Sequence, residues 1–137
     1  MKEIAKHLQL MSTYSHIAHN LVKGPLFNQD HEYLAELYAA YDKDYDDVVE
    51  RYIGLYGSEN CNLKELQLQA SQMLQSLPAP MKENSDYFKV TLQLEQRLCE
   101  KIKAEYTNAS IGSQQLLGEI CNQSEIRQYK LKQRIKK

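Results

Sequence analysis

"HNLVKGPLFNQDHEYLAELYAAYDKDYDDVVER", residues 19–51, joins two long stretches of helical periodicity through one compact break at Lys23-Gly24-Pro25. On its N-terminal side Ile4, Leu8, Met11, Ser15, Ala18 and Val22 recur at spacings of three and four. That stripe predicts a helix over residues 2–22, stopped by the glycine and the proline. On the C-terminal side Leu34, Leu37, Tyr38, Tyr41, Tyr45, Val48, Tyr52 and Leu55 continue one stripe as far as Gly57, with Asn28 or Asp30 placed to cap it. This second helix is about 26 residues, or roughly 40 Å at about 1.5 Å per residue. So short a turn makes the two helices an antiparallel hairpin.

The rest of the chain repeats the arrangement. After "GSENCN" a shorter amphipathic piece runs from Leu63 to Leu74 and is closed by "SLPAP". Asn84 or Ser85 then caps a helix with Tyr87, Thr91, Leu94, Leu98 and Ile102 on one face. A turn around "TNASIGS" leads to a fourth long helix carrying Leu117, Ile120, Cys121, Ser124, Leu131 and Ile135. No strand pattern, internal repeat or low-complexity segment interrupts this, so the fold class is all-α. The second connection is long and holds its own short helix, long enough to cross from one end of a bundle to the other. The expected architecture is a ferritin-like four-helix bundle with a short helix in the long crossover.

Composition narrows the functional classes. With 137 residues and 42% hydrophobic content, residues 1–137 form one domain able to bury a core without disulfides or a structural metal. A net charge of −1 argues against a molecule that binds nucleic acid over its whole surface. Cys61, Cys99 and Cys121 are widely spaced with no C-x-x-C, and read as buried or incidental thiols in a reducing compartment. No signal peptide and no membrane span is expected, which places the protein in the cytoplasm. No motif calls for an organic cofactor.

The polar residues of the quoted stretch carry the chemistry. All four histidines, His7, His16, His19 and His31, lie in the first 31 residues. His7 and His16 read as structural, and the tyrosines of the second helix as core. His31, Asp46 and Glu50 fall at about 60°, 120° and 160° from Leu34 at 100° per residue, a second stripe beside the apolar one. His19 has a similar offset on its own helix, so His19 and His31 can approach across the turn. Imidazole and carboxylate together suit a borderline metal such as iron or zinc. His31 and Asp46, however, are about 22 Å apart along the axis, too far for one site within one chain. An inward-facing Glu-x-x-His site is excluded, because the fourth helix has no histidine. Two copies of the second helix running antiparallel across a two-fold axis would bring the histidine end of one to the acidic end of the other.

In these residues the stretch resembles the signature of the Dps mini-ferritins (DNA-binding proteins from starved cells), from His19 through Lys23-Gly24, Phe27 and His31 to Asp46, Glu50 and Arg51. The resemblance implies a metal site in which His19 and His31 of one subunit meet Asp46 and Glu50 of its two-fold mate. It also implies a homo-oligomer, a dodecamer built of two-fold dimers, that oxidises Fe(II) and stores or detoxifies iron as a ferroxidase. Ala35 stands where the family carries a further aspartate, and Asn20 where it usually carries tryptophan. One divalent ion per site, slower oxidation and a degenerate site are the consequences to expect. The basic end "YKLKQRIKK" supplies Lys130, Lys132, Arg134, Lys136 and Lys137 as DNA-contact candidates. The alternative function is a catalytically silent ferritin-like structural or DNA-binding protein.

Overall fold

The computed structural model describes residues 1–136, and its regular structure is entirely helical among them. The first helix, α1, spans Lys2–Leu21 and buries Ile4, Leu8, Met11, Ser15 and Ala18, the stripe expected of it. Gly24 takes φ +83°, the left-handed turn that reverses the chain ahead of Pro25. The next helix, α2, spans Phe27–Tyr56 and is longer than expected at 30 residues. It starts directly after the turn, so neither Asn28 nor Asp30 caps it. Asp30 is buried instead and accepts two hydrogen bonds from Arg134, at 3.0 and 2.8 Å. Gly57, at φ +87°, ends the helix.

A 3-10 turn at Ser58–Asn60 leads into α3, Leu63–Leu74, where the Asn62 side chain caps the Glu65 N–H. The fourth helix, α4, spans Asn84–Tyr106 and begins with a reciprocal capping box between Glu83 and Asp86. Asn84, an expected cap, has another task. Its Oδ1 accepts from the Lys23 N–H, and its Nδ2 donates to the Lys23 carbonyl and to Asp30. The last helix, α5, spans Ile111–Ile135 and is capped by Ser110.

Contacts at the helix ends fix the topology. The Met1 ammonium pairs with Glu105, and Lys23 bonds Asn84 at the other end, so α1 and α4 are antiparallel. Arg134 pairs with Asp30, and the Arg51 guanidinium lies where a Cβ on Gly112 would meet it at 2.7 Å, so α2 and α5 are antiparallel too. With α1 and α2 forming a hairpin, α2 and α4 run parallel. The connection between them must therefore traverse the bundle. Its helix α3 lies along α1, through Lys6 to Gln69 at 2.9 Å and Gln67 to Gln9 at 3.1 Å. No helix is long and apolar enough to cross a membrane among the described residues.

The core draws on all five helices, with Tyr14, Leu34, Tyr41, Phe88, Leu98, Leu117 and Leu131 fully buried. His7 is packed within it: Nε2–H donates to the Leu94 carbonyl at 2.7 Å, and Nδ1 has no partner. Burial holds its pKa down to about 4.

Candidate metal centre

The turn between α1 and α2 sets His19, in the last turn of one helix, against His31, in the second turn of the other. Their rings stack with centroids 3.6 Å apart and planes 18° apart. Each ring is tied to the other residue's backbone. His19 Nδ1–H donates to the His31 carbonyl at 2.6 Å, and His31 Nδ1–H donates to the His19 carbonyl at 2.8 Å. The helix end makes this possible, because the His19 carbonyl would otherwise look to the Lys23 N–H, and that N–H is turned to Asn84. A carbonyl oxygen only accepts, so both Nδ1 atoms carry hydrogen, and each neutral ring keeps its lone pair on Nε2. A backbone acceptor on one ring nitrogen with the other nitrogen open is how metal-ligating histidines are oriented.

Aromatic neighbours brace the pair. Phe27 stacks on His31 at 4.8 Å, Tyr38 meets His19 edge-on at 5.5 Å, and the exposed His16 lies on Tyr38 at 4.5 Å. His19 and His31 themselves are half-buried, so water reaches the rings.

Asp46 and Glu50 stand farther along α2, exposed, and make no ion pair or hydrogen bond among the described residues. The chain therefore brings the two histidines together and leaves the two carboxylates apart from them. No three His, Cys, Asp or Glu side chains come together in a metal-sized cluster among the described residues. Ala35, one turn after His31, offers no oxygen there. Asp42, on the same side of the helix, accepts a short hydrogen bond from Ser12.

The bundle interior holds a different polar constellation, not foreseen from the sequence. Glu95 of α4 is 0% exposed and bidentate to Arg127 of α5, through Nε and through Nη2 at 3.1 Å. The Tyr41 hydroxyl donates to the same carboxylate at 2.9 Å, and the guanidinium lies over the Tyr41 ring at 5.1 Å. Burial lowers the pKa of Arg127, but the Glu95 bond and charge outweigh it and leave a net rise. Burial also pushes Tyr33 up to about 12 and Asp44 up to about 6, the latter against the pull of Arg127. A permanent cation already neutralises the central carboxylate, so this layer is built to fix the helices rather than to take a metal. The sequence did carry a signal for it: Glu95 and Arg127 each fall on the apolar stripe of their helix, where a charge needs a partner.

The basic end divides. Lys130, Lys132 and Lys136 are exposed, Lys137 lies outside the described residues, and Arg134 is held by Asp30. The Arg134 guanidinium closes the bundle, because leaving the buried Asp30 carboxylate without its cation is costly.

No protein-family model matches the chain, and neither a curated protein nor a solved structure matches it.

Proposed function

We propose that this chain is an iron-binding protein of mini-ferritin type, whose single ferritin-like domain assembles into a closed homo-oligomer that oxidises and stores or detoxifies Fe(II) at sites shared across a two-fold axis. The observation that carries the reading is the reciprocal pair of Nδ1 bonds between His19 and His31, which leaves both Nε2 lone pairs open at a water-accessible surface. Iron is the substrate, and each site is completed by Asp46 and Glu50 of a second copy. If two α2 helices cross antiparallel so that His31 of one faces residues 46–50 of the other, the axis passes close to Ala39. Ala35 and Ala39 are the small residues on that face, and they allow the backbones to approach.

The stack bears on stoichiometry. An ion is held in the plane of its imidazole, and planes only 18° apart at 3.6 Å do not meet at ligand distance. Capture of one ion by both rings therefore tilts a ring out of the stack, at the expense of a hydrogen bond. With Ala35 in place of a carboxylate, one tight ion per site and slow oxidation are expected.

The deciding experiment is an anaerobic Fe(II) titration of the assembled protein, with its mass measured by sedimentation. The expected results are about one tight ion per chain and, for twelve chains of 16.0 kDa, an assembly of roughly 190 kDa. Ala35→Asp should raise affinity or speed oxidation. A 16.0 kDa monomer at micromolar concentration would remove both the shell and the shared site.

A further inference from the structure

Cys99 on α4 and Cys121 on α5 bring their Sγ atoms to 3.0 Å. Both are half-buried, and both line an open groove of about 530 Å³ walled by Ile102, Tyr106 and Gly118. Their surroundings differ. The Cys121 S–H and, at 3.5 Å, the Gln128 amide donate to the Cys99 sulfur, and the Cys99 S–H in turn donates to Ser124 Oγ at 3.4 Å. Gln128 is itself oriented by a 3.2 Å bond to Ser124 Oγ, whose hydroxyl donates to the Glu95 carbonyl. The third thiol, Cys61, borders a separate groove beside α1.

We propose that Cys99 and Cys121 form a reversible dithiol–disulfide site oxidised by small hydroperoxides, with Cys99 as the attacking sulfur and Cys121 as the resolving one. Burial, followed by the bond to Cys99, pushes the Cys121 thiol up to about 12, in keeping with a thiol that holds its proton until the second step. In the first step the Cys99 thiolate attacks a peroxide oxygen. The O–O bond breaks, Cys99 becomes a sulfenic acid, and the leaving oxygen departs as water or an alcohol after taking a proton. In the second step Cys121 sulfur attacks the sulfenic sulfur, its proton leaves with the hydroxyl as water, and the disulfide closes. Each turnover reduces one hydroperoxide by two electrons, and an external dithiol returns those electrons. The sulfurs need to approach by only about 1 Å to reach a bond of about 2 Å. The site is independent of the iron reading.

Treating the full-length protein with stoichiometric hydrogen peroxide under metal-free conditions tests this. The expected result is loss of two of the three free thiols and of about 2 Da, with a Cys99–Cys121 cross-linked peptide that dithiothreitol reverses. C61S should behave like the parent. C121S should trap a dimedone-reactive sulfenic acid at Cys99, whereas C99S should give neither cross-link nor adduct. Three thiols still titratable after treatment would overturn the proposal, as would a cross-link through Cys61 or a sulfenic acid at Cys121 in C99S.

Discussion

Two polar constellations, one around Tyr41 and one around His31 ten residues earlier on α2, are built on opposite terms. In the interior Glu95, Arg127 and Tyr41 satisfy one another: the carboxylate takes three hydrogen bonds and the cation lies over an aromatic face. At the α1/α2 turn His19 and His31 satisfy only half of each ring, through Nδ1, and hold the other half toward water. The first arrangement already has its charge neutralised by Arg127. The second is oriented and incomplete. Charged residues deep in a bundle therefore need not be its chemistry, and a half-buried pair at a turn can be.

If that contrast is right, damage to the two regions separates stability from binding. The largest effect on folding is expected at the interior. Glu95→Ala leaves the Arg127 guanidinium buried without its anion and should cost about 3–5 kcal/mol, read from urea midpoints, while the Fe(II) affinity of the surviving folded fraction is unchanged. A loss under 1 kcal/mol would break the contrast.

His7 gives the next effect. Its folded pKa of about 4 lies below the ordinary 6.5, so the unfolded chain binds the proton first as pH falls. The stability contribution is complete above about pH 6.5 and is lost as pH drops toward 4, to the order of 3 kcal/mol. His7→Gln should remove most of that acid loss, measured as unfolding free energy against pH.

Asp44 works with the opposite sign. Its folded pKa of about 6 exceeds the ordinary 3.8, so the native state holds the proton longer and stability falls as pH rises from about 4 through 6. Asp44→Asn should stabilise the protein at pH 7 by about 1–2 kcal/mol, allowing for water at its partly exposed carboxyl. In the window where both groups titrate the two slopes oppose, and only the single variants resolve them.

The smallest effect on folding is expected at the turn. His31→Ala removes a half-buried stack and one Nδ1 bond and should cost about 1 kcal/mol in thermal unfolding, and on the proposed function it should also abolish tight Fe(II) binding.

How much of this was legible in the sequence follows the same division. Periodicity places a residue on a face of its own helix, so the helices, the short α3 and the meeting of His19 with His31 across a short turn could all be read directly. The extent of α2 was underestimated because Asp30 resembled a cap, and its true partner Arg134 is 104 residues away. Pairings such as Glu95 with Arg127 or Cys99 with Cys121 depend on the register of one helix against another, which periodicity does not encode. Glu95 and Arg127 could still have been noticed as charges on apolar stripes. The cysteines gave no such hint, since each alone passes for a small apolar residue.

The central claim is that one metal site is assembled from two chains. Mixing His31→Ala with Glu50→Ala protein under conditions that exchange subunits tests it most directly. Each variant alone should lack tight Fe(II) binding. In a mixed dimer one site combines the intact histidines of the Glu50→Ala chain with the intact carboxylates of the His31→Ala chain, so binding should return to about a quarter of the parent's sites in an equimolar random mixture. Half of the dimers are then mixed, and each has one intact site of two. Fe(II) affinity unchanged in both single variants, or no recovery after exchange is verified by mass, would contradict the shared site.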